Sequence, residues 1–343
     1  MNRTVPEPQA AEAEFDPPRW LRNHHLQSIL ASTAWRRGRI LRAAAPLLKS
    51  QTELLLDCGE GVRLQCFHSS PPASSGRAVV LLHGWEGSAE SMYILSLAQR
   101  LYAHGFEVLR LNLRDHGETH HLNRDLFHSC RLPEVVGAVC ALQRRFTGTP
   151  LALVGFSLGG NFMLRVAAEA RAAQLSLARV IAVSPVLEPS ETLAALQGGM
   201  PGYERYFVNK WLRSLRKKQA AWPDSYDFAE LARSRDLKEM TADLVREYTE
   251  FGSLDNYLNG YAITGARLAQ LEVPASILTS LDDPIIPAGG LTRLARPASL
   301  AITLTRYGGH CGFFEGLSGS PWVERWVMGQ LGAEARAPGA AAP

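Results

Sequence analysis

Long apolar runs are missing from this 343-residue chain: none approaches the roughly eighteen residues needed to span a bilayer. The N-terminus is polar and shows no secretory pattern. Cysteine is scarce, and Cys58, Cys66, Cys130, Cys140 and Cys311 make an odd number without Cys-x-x-Cys spacing. A disulfide framework is therefore excluded, and free or buried thiols in a reducing compartment are expected. Charge imbalance is missing too. Thirty-six basic residues against thirty-three acidic ones leave +3, with no basic face threaded by aromatics, so nucleic acid is not an expected partner. Internal repeats are lacking. These absences predict a soluble, cytoplasmic protein.

What the chain does have is apolar content, 46% of its residues, enough for one large core with room for an insertion. Residues 1–14 and 332–343 are rich in Ala, Pro, Glu or Gly without periodicity and are expected to be disordered tails around a domain over 15–331. Within that domain, apolar runs alternate with helical patterns. Strands are predicted near 53–56 and 62–67 as an antiparallel edge pair, then near 78–82, 107–113, 151–154, 180–183, 275–279 and 300–305. Helices are predicted near 91–104, 132–146, 161–173 and 322–328. This rhythm predicts an α/β fold with a mostly parallel central sheet and helices on both faces. The stretch 187–271 breaks the rhythm and is rich in aromatics, Trp211 and Tyr257 among them, as expected of a helical cap inserted over the carboxyl edge of the sheet.

One local concentration of basic residues, Lys210, Arg213, Arg216, Lys217 and Lys218, is interleaved with Trp211, Leu212 and Leu215. Such a helix can make weak peripheral contact with an anionic membrane, but a solvated face is the favoured reading.

The chemistry concentrates at Gly155-Phe156-Ser157-Leu158-Gly159, placed between a buried-type strand and a helix. So sharp a reversal forces the turn residue into a strained conformation, and the flanking glycines keep neighbouring Cβ atoms apart. Ser157 is the predicted nucleophile. A serine hydroxyl needs a base, and the base needs a group to orient it. The 275–279 strand is followed by Asp282-Asp283-Pro284, and the 300–305 strand by Gly308-Gly309-His310. The order serine, acid, histidine is the one expected for a nucleophile on a strand-to-helix elbow, with His310 as base. The residues alone leave Asp282 and Asp283 open. Oxyanion donors are expected from the amides of Leu158 and of Trp85, which lies in the loop 83–88 after a strand. His83 is expected to brace that loop. His116, His120, His121 and His128 lack a helical pattern and a companion carboxylate at ligand spacing, so no metal is predicted; they are expected to line the pocket or brace its loops.

Together these residues resemble the α/β-hydrolase superfamily over about 15–329 and, within it, the YheT-like, embryogenesis-associated branch. The resemblance is carried by Phe15-Asp16-Pro17-Pro18-Arg19-Trp20-Leu21-Arg22-Asn23-His24-His25-Leu26-Gln27-Ser28-Ile29-Leu30, the 83–88 loop, the elbow, Asp282-Asp283-Pro284 and Gly308-Gly309-His310-Cys311-Gly312-Phe313. The first block is the most specific. The resemblance implies a serine hydrolase of acyl esters working without a cofactor, and it implies Asp283 as the triad acid, four residues before Pro287. Medium-chain fatty acyl esters and phospholipid acyl chains are substrates in eukaryotic members, which usually carry a membrane anchor.

The expected activity is hydrolysis of short- to medium-chain carboxylic esters, with a small-molecule acyl ester as partner. Acyl transfer to an alcohol and a non-catalytic ligand-binding receptor are the competing readings.

Overall fold

The computed structural model describes residues 11–12, 15–33, 36–317 and 320–332. The expected tails lie largely outside these residues, although Ala11–Glu12 form a short strand, β1. Helices α1 (His24–Ser32) and α2 (Arg37–Lys49) precede an antiparallel pair, β2 (Gln51–Asp57) and β3 (Arg63–Ser69). Then follow β4 (Arg77–Leu82), α3 (Met92–Ala103), β5 (Phe106–Leu111), α4 (Leu132–Arg145), β6 (Leu151–Phe156), α5 (Leu158–Ala168) and β7 (Leu177–Val183). Four helices come next: α6 (Pro189–Gly198), α7 (Pro201–Ala221), α8 (Leu237–Tyr248) and α9 (Leu254–Tyr261). The chain closes with β8 (Ala275–Ser280), β9 (Leu300–Thr305) and α10 (Trp322–Gln330).

Among the described residues the sheet runs β1-β9-β8-β7-β6-β4-β5-β3-β2. The six strands from β9 to β5 pair in parallel, and the antiparallel pairings, β5 with β3 and β3 with β2, lie at one edge. The strand period of two sends alternate residues of β4 to opposite faces. Ala78, Val80 and Leu82 pack with Val139 and Leu142 of α4 and Phe162 of α5. Val79 and Leu81 pack instead with Leu47 of α2, Leu97 and Leu101 of α3 and Val327 of α10. Both faces are thus covered, which is what lets strands such as β6 and β8 be buried throughout.

The order β7-β6-β4-β5 places the carboxyl ends of β4 and β6 side by side at the middle of the sheet. The α6–α9 insertion leaves from the end of β7, beside them, and α5 ties the two parts together. Buried Asn161 donates to the Val186 and Tyr261 carbonyls, at 2.9 and 2.8 Å, and Arg165 donates to the Ser129 carbonyl.

The basic run of α7 is not the solvated face expected of it. Arg213, Arg216 and Lys217 are exposed, but Lys218 is 1% exposed and pairs with Asp115 at 2.9 Å. Its ammonium also donates to the Asn123 and Asp125 carbonyls, and Lys210 donates to the Glu86 carbonyl. A lysine can turn inward when carbonyls and one carboxylate replace its water.

Candidate active site

Ser157 occupies the one-residue turn between β6 and α5 at φ 53° and ψ −120°. A non-glycine residue there carries about 1–3 kcal/mol of strain and persists only where its surroundings over-determine it. The surroundings are backbone. A Cβ on Gly155 would strike the Gly159 carbonyl, and one on Gly159 would strike the carbonyls of Leu82 and His83. The turn is further fixed by Ser157 N–H donating to the Val183 carbonyl at 2.9 Å. The serine therefore sits at the N-terminus of α5, where the helix dipole favours negative charge.

His310 and Asp283 meet across the carboxyl ends of β9 and β8. His310 Nδ1 lies 2.9 Å from Asp283 Oδ2, which fixes Nδ1 as the protonated nitrogen and leaves Nε2 to accept. The other carboxylate oxygen, Asp283 Oδ1, accepts the amides of Ile285 and Ile286, both at 2.9 Å. Burial by itself lowers the basicity of His310. The Asp283 carboxylate, with a smaller contribution from Cys311, outweighs it and raises the imidazole well above its ordinary value. Asp282 points elsewhere: its Oδ1 accepts the Gly309 amide at 2.9 Å. Both acidic residues thus serve the histidine loop, one through the ring and one through the backbone.

The loop after β4 comes close enough to Ser157 that a Cβ on Gly84 would sit 3.1 Å from the serine Cβ. Its amides on either side of Trp85 are occupied: Gly84 N–H donates to Tyr93 Oη at 3.0 Å and Glu86 N–H to His116 Nε2 at 3.1 Å. The Trp85 ring stacks on Phe207 at 5.4 Å and meets the edge of Trp211, both from α7. His83 is a brace, donating from Nδ1 to the Gly84 carbonyl and accepting the Leu113 amide at Nε2.

The second histidine group does not line the cavity, contrary to one of the two roles expected for it. His116 donates through Nδ1 to the Arg114 carbonyl, and His120 Nε2 contacts Ser214 Oγ of α7 at 2.9 Å. Burial holds His116 and His120 down to about 4 and His128 down to about 3. No group of three or more metal-ligating side chains is formed among the described residues.

Ser157, His310, Trp85 and Leu158 all border one cavity of about 400 Å³. Leu193, Leu196, Leu244 and Leu258 of the insertion give it an apolar wall, and Arg37 and Glu90 also line it. Four of the five residues singled out for catalysis thus border one cavity, and the fifth, Asp283, reaches it through its bond to His310. Sequence reasoning missed Tyr93, which pins Gly84, and Gln27 and Ser28 of α1, which bond the histidine loop. The only trace of the latter pair was the N-terminal block that carries the resemblance.

A sequence model of the alpha/beta hydrolase fold matches residues 77–317. The chain belongs to this family. YheT of Escherichia coli strain K12, named as an esterase, is 28% identical over 323 residues, covering 92% of both chains. The embryogenesis-associated protein EMB8 of Picea glauca is 22% identical over 335 residues, 90% of this chain and 70% of that one. These relatives put the chain in the YheT-like branch, as its N-terminal block implied. Among solved structures, the Pyrococcus furiosus esterase Pf2001 superposes with a TM-score of 0.52 at 14% identity, over 82% of this chain and 90% of that one. Est1E from Butyrivibrio proteoclasticus, solved with ferulic acid bound, gives 0.52 at 16% identity, over 82% and 100%. These two share the fold. No helix among the described residues is long and apolar enough to cross a membrane.

Proposed function

We propose that this chain is a carboxylic ester hydrolase acting on short- to medium-chain acyl esters through Ser157, His310 and Asp283. One observation carries the reading: a strained serine on a helix N-terminus shares a cavity with a histidine whose Nδ1 is held 2.9 Å from a buried carboxylate. Ser157 Oγ attacks the acyl carbon while His310 Nε2 takes its proton. The carbonyl oxygen becomes an oxyanion held by the amides of Trp85 and Leu158, and its collapse expels the alcohol, which receives the proton from His310. Water, deprotonated by the same nitrogen, then releases the acid and restores the serine. Asp283 stabilises the imidazolium in both halves. The apolar wall from α6, α8 and α9 acts as a cap over the acyl chain, a reading the esterase name of YheT also favours.

The test is labelling with a fluorophosphonate together with burst release of p-nitrophenol from a p-nitrophenyl ester. Both are expected of the native chain, and Ser157→Ala should lose both, with kcat down by on the order of 10⁶. Labelling that survives in Ser157→Ala would end the assignment.

A further inference from the structure

The loop that carries His310 cannot hold its own shape. Cys311 and Phe313 have φ values of 60° and 50°, between Gly309 at 54° and the loop's exit. Two side-chain-bearing residues in the left-handed region within four positions need support from outside the loop. Asp282 and Ser280 hold Gly309, and further support comes from α1, more than 280 residues earlier. Ser28 Oγ donates to the His24 carbonyl at 2.7 Å and accepts the His310 amide at 2.8 Å. Gln27, fully buried, clasps Phe314 from both sides: its Oε1 accepts the Phe314 amide at 2.7 Å, and its Nε2 donates to the Phe314 carbonyl at 2.9 Å. The third amide hydrogen bond of Gln27 anchors it to the Leu21 carbonyl. The backbones also touch, since a Cβ on Gly309 would meet the His24 carbonyl and one on Gly312 the Gln27 carbonyl. Asn23 caps the helix that bears these groups, accepting the Leu26 amide at 3.0 Å.

We propose that α1 is a brace that sets the position of His310, with Ser28 and Gln27 as positioning residues that act through the backbone on either side of the imidazole. The proposal rests on the reading of His310 as general base and acid. Asp283 fixes the ring's tautomer and rotation, whereas Ser28 fixes where the ring's Cα stands. A ring displaced by a fraction of an ångström still binds substrate but transfers protons poorly, so the loss falls on kcat rather than KM.

The experiment compares the full-length chain with Ser28→Ala, Ser28→Thr, Ser157→Ala and His310→Ala on two esters of the same acid, ethyl butyrate and p-nitrophenyl butyrate. Ser28→Ala should lower kcat by about tenfold or more with KM within about twofold. The loss in kcat/KM, which reports acylation, should be larger on the ethyl ester, because an alkoxide leaves only if His310 protonates it, whereas p-nitrophenolate leaves unaided. Ser28→Thr keeps the acceptor oxygen and should recover most of kcat. Should Ser28→Ala fail to fold, Ser28→Cys, with its weaker acceptor, should show the same leaving-group-dependent loss when set against Ser28→Thr. An unchanged kcat, or an equal loss of kcat/KM on both esters, overturns the brace while Ser157→Ala and His310→Ala, both inactive, leave the ester-hydrolase reading standing. Full activity in His310→Ala would remove that reading and the brace with it.

Discussion

Lys218 of α7 and Asp115 of the loop after β5 form a buried ion pair, 2.9 Å apart, that joins the insertion to the sheet. Asp115 also accepts the Phe127 amide, and it sits at φ 58°. For both charges burial is the largest influence, raising the carboxyl and lowering the ammonium, and each is offset by the other.

Removing one member leaves the other buried and unpaired. Lys218→Ala is expected to destabilise the chain by about 3–5 kcal/mol in urea titrations, whereas Lys218→Met combined with Asp115→Asn, which keeps an oxygen for the Phe127 amide, should recover part of that. A loss under about 1 kcal/mol in Lys218→Ala would show that water reaches the pair.

The two neighbouring acids should separate kinetically. Asp283→Asn removes the charge that orients and stabilises the imidazolium and should reduce kcat by about 10⁴. Asp282→Asn keeps a side-chain oxygen to accept the Gly309 amide and should change kcat by less than about tenfold. Steady-state kinetics with one p-nitrophenyl ester checks the ranking, and the reverse order would transfer the role to Asp282.

The pH dependence follows from opposed histidine shifts. His310 is raised, so kcat/KM should fall as pH drops through a value above 6.5, where the imidazole can no longer take the serine proton. The stability it contributes is fully present below 6.5 and is lost as pH rises through that same raised value. His116, His120 and His128 are lowered, to about 4, about 4 and about 3. Their stability contribution is present above 6.5 and is lost as pH falls toward those values, at up to about 1.4 kcal/mol per pH unit for each group. Denaturation midpoints followed from pH 8 to 4 should therefore fall steeply below 6.5. Asp283→Asn should shift the acid limb of activity downward without altering that fall.

The apolar wall sets an acyl-length optimum. Each buried methylene contributes about 0.8 kcal/mol, so two more carbons should raise kcat/KM roughly tenfold while the slot has room. p-Nitrophenyl esters should improve from acetate to about hexanoate or octanoate and then level. Leu244→Trp, which fills the slot, should depress octanoate hydrolysis and spare acetate. A flat series from acetate to octanoate would sink the idea, and a steady rise through palmitate would point to a lipase-like enzyme.

What was legible in the sequence was whatever a short window determines. The Ser157 elbow could be read because its glycines are demanded by backbone packing within a few residues and against the end of β4. The sheet could be read because β4 from Ala78 onward and β6 are apolar runs between turn signals. The choice between Asp282 and Asp283 could not be made from the residues, because both follow β8 and only the direction of each carboxylate separates them. Lys218 was misjudged for the related reason that an inward lysine and an outward one look alike in a basic run; carbonyls from 123 and 125 decide it. Gln27 and Ser28 carry no local signal at all, since their partners are 287 and 282 residues away.

That separation has a consequence in time. During synthesis α1 is made 287 residues before the Phe314 that it clasps, so the bond of Gln27 to Phe314 closes a circuit of that length. The nascent chain can build β4 to β7 and their helices while the histidine loop is still unmade. Ser157 is therefore made well before His310, the base proposed for it.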